Sequence, residues 1–68
     1  MPLVDVKVWE GFGAEKARAV IEGITDVFTG LGIPRQAVEV VVYEVPKTHW
    51  GIGGEPASER RFEPPPAD

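Results

Sequence analysis

Among the 68 residues of this chain, the one with the most distinctive chemistry is Pro2. Once Met1 is removed, Pro2 becomes a free secondary amine. The reference pKa of an α-amino group is about 7.7–8.0, so such an amine is half-poised for base chemistry near neutrality. Surroundings that lower that value make it a general base. Few other groups compete for a chemical role. There are no cysteines and one histidine, which excludes a thiolate centre, a disulfide framework and a histidine-built metal cluster. No metal ligand set is expected from these residue types.

An amine that acts as a base has to be held at the end of something rigid. Residues Pro2 to Trp9 alternate, with Leu3, Asp5 and Lys7 on one side and Val4, Val6 and Val8 on the other. That period of two predicts a strand with one apolar face. Glu10-Gly11-Phe12-Gly13 ends it in a loop. From Ala14 to about Thr29 the period becomes helical. Ala17, Val20, Ile21, Ile24, Val27, Phe28 and Leu31 form a single apolar stripe. Gly13 is a poor N-cap, and Gly23 inside the helix implies close backbone packing. Gly30, Gly32 and Pro34 supply stop signals. Val38 to Val45 reads as a second strand, apolar on both faces and therefore expected to be covered on both. His49-Trp50-Gly51-Ile52-Gly53-Gly54 reads as a glycine-rich turn or hairpin.

Strand, helix, strand over this length is one α/β (α+β) unit, a single β-α-β with parallel strands and a right-handed crossover. A short C-terminal hairpin follows. The domain is expected over residues 1–61, with residues 62–68 a proline-rich flexible tail. A chain this small buries only about 60% of its unfolded surface. Two strands with bare edges are not stable alone, so these units should self-associate into larger sheets. The net charge of −4 and the lack of a basic run argue against nucleic acid. No segment approaches the roughly 20 apolar residues that span a bilayer, so no membrane partner is expected. Asp5 and Lys7 interrupt any secretory signal, leaving the cytoplasm as the default compartment.

With that order of elements, Lys47-Thr48-His49-Trp50-Gly51-Ile52-Gly53-Gly54-Glu55 resembles the Lys-Gly-His-Phe-Gly-Ile-Gly-Gly-Glu segment of the 4-oxalocrotonate tautomerase family. Pro2-Leu3 at the head of the first strand and Glu10-Gly11 at its end match as well, so the resemblance runs from Pro2 to about Arg61. It implies β-α-β protomers assembled as homohexamers, trimers of dimers, with sites between subunits. It also implies catalysis without a cofactor, in which the N-terminal proline moves a proton on an enol or unsaturated 2-oxo acid. Pro2 matches the base, and Trp50 stands where the family has phenylalanine.

Two departures follow from the same matching. Phe12 occupies the position of one family arginine, and Glu39 that of a second in the next strand. An arginine-carboxylate fork is the main device for holding a dicarboxylate, so the usual dianionic substrate is not expected. A carboxylate at Glu39 close to the amine would favour its protonated form. Phe12 and Trp50 suit a less polar pocket, and a monoacid or aryl-bearing enol, such as a phenylpyruvate-like compound. Arg35, just ahead of the second strand, is a candidate replacement cation, with a plain surface role as its alternative. Tyr43 suits sheet packing and His49 a surface role. The competing function is a non-catalytic or accessory subunit of a hetero-oligomeric tautomerase, in which a partner chain supplies the arginines.

Overall fold

A computed structural model describes residues 1–60 of the chain. The expected proline-rich tail, 62–68, lies outside the described residues. Strand β1 spans Leu3–Trp9, helix α1 Ala14–Gly30 and strand β2 Glu39–Val45. β1 and β2 pair in parallel, in register from Leu3 beside Glu39 to Trp9 beside Val45. The β-α-β unit is therefore as the residue periods predict. Two short strands, β3 (Gly51–Ile52) and β4 (Glu55–Pro56), close an antiparallel hairpin. Its two turn residues, Gly53 and Gly54, both have positive φ, at 62° and 89°. That is the requirement of a type I′ turn, which glycine meets without steric cost.

Helix α1 begins at Gly13 with no side-chain cap, and Glu15 is the acidic residue of its first turn. It ends more firmly. The N–H of Gly32 donates to the carbonyl of Thr29 at 3.0 Å, and that of Ile33 to the carbonyl of Phe28 at 3.2 Å. These are the two bonds of a Schellman motif, and Gly32 sits in its left-handed position at φ 89°. A 3-10 turn at Arg35–Ala37 then leads into β2.

The seven-residue apolar stripe of α1 divides in the folded chain. Ala17, Val20, Ile24 and Phe28 are half-buried, while Ile21, Val27 and Leu31 are exposed. Val27 and Leu31 remain 63% and 72% accessible. The helix is thus apolar over a wider arc than two strands can cover. Gly23 has nothing within 4 Å of the position a Cβ would take, so the close backbone packing expected there is not made among the described residues.

The sheet shows the same deficit. Val4, Val6, Val40 and Val42 lie on its half-buried face, and Leu3, Val41 and Tyr43 on an exposed one. The double cover expected for β2 is therefore half supplied by its own chain. Among the described residues the buried set is Ala57 and Thr25. Thr25 satisfies its hydroxyl by donating to the Ile21 carbonyl at 2.7 Å. A 3-10 turn at Ala57–Glu59 carries Ala57 under the hairpin, where its N–H bonds the Trp50 carbonyl at 2.6 Å.

Candidate active site

The parallel register puts the candidate residues at two opposite ends of one sheet. At the amino-terminal end, the Glu39 N–H donates to the Pro2 carbonyl at 3.0 Å. That bond extends the ladder by one residue and anchors Pro2 against β2. Pro2 is half-buried, and Met1 in front of it is 93% exposed. Glu39 pairs with Leu3, so its side chain rises from the exposed face directly beside the strand that carries Pro2. Arg35 sits just before β2 at this same end. Its guanidinium is engaged with Asp26 at 2.8 Å, an exposed pair anchoring the turn to α1.

At the carboxy-terminal end lies an aromatic cluster. Trp9, the last residue of β1, meets Trp50 edge-on, with ring centroids 6.0 Å apart and planes at 79°. A T-shaped contact suits the opposite signs of ring face and ring edge. The Lys47 ammonium lies 4.6 Å from the Trp9 ring centroid, and the Lys7 ammonium 5.4 Å from that of Tyr43. Both are within cation–π range. Phe12, in the loop after β1, lies under the Lys16 ammonium at 5.9 Å. Lys7, Val45, His49, Trp50 and Gly51 line an open cavity of about 360 Å³. Its floor belongs to the sheet face opposite the helix, since Lys7, Trp9 and Val45 share one side of the strands.

Pro2 and Trp50 are thus not brought together by one chain. Seven residues of extended strand at about 3.3 Å each separate them by roughly 20 Å. Pro2, Glu39 and Arg35 form one group; Trp50 stands with Trp9 in another, and Phe12 follows the same end of β1. Among the described residues, no group of three His, Cys, Asp or Glu side chains is placed to hold a metal ion. Among the same residues no helix is long and apolar enough to cross a membrane.

Comparison with known proteins settles the class. A family profile described as tautomerase enzyme matches residues 2–60. The chain belongs to the tautomerase family. Membership makes it an isomerase of the tautomerase class, in agreement with the likeness of the Lys47 to Glu55 segment. A probable tautomerase of Ralstonia nicotianae is 42% identical over 66 residues, spanning 96% of this chain and 93% of the relative. A 4-oxalocrotonate tautomerase isozyme structure from Methylibium petroleiphilum shares 40% identity, with a TM-score of 0.77 over 84% of this chain and 94% of that one. A heterohexameric 4-oxalocrotonate tautomerase from Chloroflexus aurantiacus shares 27%, with a TM-score of 0.78 over 90% and 100% of the two chains.

Three residues of this tautomerase's carboxy-terminal cluster carry no signal strong enough to be picked out in advance. They are Lys7, Trp9 and Lys47. Parity along β1 places Trp9 on the Lys7 side, but its partner Trp50 is 41 positions away along the chain. Only the hairpin's return over the sheet end reveals that contact. Lys47 lies inside the segment that resembles the family, yet a surface lysine there has no distinguishing pattern.

Proposed function

We propose that the protein is a proline-based tautomerase, in which Pro2 of one copy works on a substrate held against Trp50 of another. The observation that carries the reading is the placement of these residues at opposite ends of one sheet. A strand cannot bend Pro2 back to its own Trp50, so a site containing both is built between chains. The near absence of a core among the described residues of the single chain supports association of this kind. A homohexamer, arranged as a trimer of dimers, is the assembly proposed.

The reaction is a proton relocation on an enol or unsaturated 2-oxo acid. The Pro2 amine takes the proton from the enol oxygen and delivers it to carbon. One O–H bond breaks, one C–H bond forms, and the amine ends as it began. A retained Met1 would make the proline nitrogen a tertiary amide, with its lone pair delocalised and no basicity. The exposure of Met1 leaves the bond before Pro2 open to a peptidase. Intact mass of the active protein is therefore expected to lack one methionine. The aromatic surroundings of Trp50, where Trp9 packs edge-on, favour a monoacid or aryl-bearing enol over a dicarboxylate. No metal or organic cofactor is required for this chemistry.

The test is Pro2→Ala assayed on phenylenolpyruvate. Loss of a positioned base is expected to lower kcat/KM by roughly 10²–10⁴-fold, with the oligomer intact. An unchanged rate removes the proline from the mechanism. A second reading, an accessory subunit, is favoured by the heterohexameric Chloroflexus relative. A purified homo-oligomer that turns over substrate unaided eliminates it.

A further inference from the structure

The cavity under the hairpin carries a charge pattern opposite to that of the whole chain. The protein has eleven acidic and seven basic residues, yet the lining of this cavity holds Lys7 and His49 and no carboxylate. The neighbouring acids are turned away or lie further along. Glu44 is committed to the loop, its Oε1 accepting the Gly11 N–H at 3.0 Å. Asp5 is two residues back along β1, on the same exposed side. Of these two basic residues, His49 has Nδ1 in a 2.8 Å hydrogen bond with the Thr48 hydroxyl. Lys7 makes no ion pair among the described residues and rests only on the Tyr43 ring. Its ammonium is therefore the freer charge, in a cavity that Trp50 also lines.

The geometry points to Lys7 as the group that binds the carboxylate of the substrate, with the ligand's apolar body against Trp50. A lysine is a mobile point charge with three donors, suited to one carboxylate approached from several angles. It does not make the bidentate fork that a dicarboxylate site uses. A cavity of about 360 Å³ lies at the small end of ligand pockets and accommodates a single-ring acid. The assignment of a 2-oxo acid as ligand rests on the tautomerase reading; the preference for an aryl carboxylate rests on the cavity itself.

Both tryptophans of the chain lie in this cluster, so its intrinsic fluorescence reports the cavity directly. The assembled protein would be titrated with cinnamate, an unreactive aryl carboxylate, and with cinnamamide, its uncharged counterpart. Saturable quenching by cinnamate is expected. Lys7→Met should weaken cinnamate about tenfold or more, as loss of a charge-assisted contact implies, and leave cinnamamide unchanged. Lys7→Arg should restore most of the affinity, and added salt should weaken cinnamate alone. With phenylenolpyruvate, Lys7→Met should raise KM by a similar factor with kcat within about threefold. Lys7→Gln provides the same comparison should the methionine variant fold poorly. Absence of cinnamate binding to the wild type, unchanged affinity in both variants, or equal loss of both ligands overturns the inference. Binding that follows Lys7 in a protein that does not turn over phenylenolpyruvate sinks the proposed proline-based reaction and leaves this inference standing. Turnover dependent on Pro2 but indifferent to Lys7 does the reverse.

Discussion

At the scale of single residues, the base chemistry proposed for Pro2 can be tested through Glu39, its neighbour across the ladder. The Glu39 N–H holds the Pro2 carbonyl, so the Glu39 side chain starts from the adjacent strand position. A carboxylate near an amine stabilises the ammonium form and raises the pH at which the free base appears. Glu39→Gln removes that stabilisation, so the free base forms at lower pH. The acidic limb of the pH–rate profile is accordingly expected to move to lower pH in the variant. A limb that stays in place, measured on kcat/KM, excludes Glu39 from the electrostatics of the amine. Arg35 has a different standing. Its pair with Asp26 is exposed on both sides and contributes little stability in water. Arg35 is thus available at modest cost, but the structure gives it a structural partner rather than a substrate.

At the scale of elements, the sequence periods translate into structure almost unchanged. Alternation becomes β1, the 3.6-residue stripe becomes α1, and the glycine pair becomes a type I′ hairpin. These are local outcomes, decided by φ/ψ preferences and by which side of an element is apolar. Gly32 illustrates how tightly one residue can be specified. Its φ of 89° ends α1 with both Schellman bonds in place. Gly32→Ala is expected to destabilise the fold by about 1 kcal/mol, since a Cβ is disfavoured in that region. A lower urea midpoint at unchanged slope is the corresponding measurement. The hairpin shows where local reasoning stops. Its turn is legible in Gly53-Gly54, but its landing on Trp9 is not, because nothing local to either tryptophan encodes a contact across 41 residues.

At the scale of the whole molecule, the single chain is an incomplete solution to its own hydrophobic pattern. One face of the sheet and one flank of the helix carry exposed apolar side chains, Leu3, Val41 and Tyr43 on the first, Val27 and Leu31 on the second. Contiguous exposed apolar surface of this sort marks interaction sites. Val27→Asp places a charge on the helix flank and is expected to shift sedimentation toward smaller species, with reduced thermal stability. A Val27→Asp protein that keeps the wild-type sedimentation coefficient removes that flank from the assembly. The wild type itself should show no folded monomer at micromolar concentration in analytical ultracentrifugation.

The amino-acid sequence by itself determined the β-α-β order, the parallel pairing it demands, the position of the helix stops and the hairpin. Those features depend on residues close in the chain or on periods that only one element satisfies. The family, too, was readable from Lys47 to Glu55 together with Pro2, because that segment combines a turn and an aromatic at fixed spacing. Tertiary structure alone decided which members of the helical stripe are covered, since two strands shield only part of the arc. It alone placed Lys7, Trp9, Lys47 and Trp50 in one cluster, joining residues that no local pattern connects. It also placed Pro2 at the far end of the sheet from Trp50, because the ladder's register and the straightness of a strand fix that separation. A site that joins the proposed amine to Trp50, as proposed above, needs a second chain for its wall.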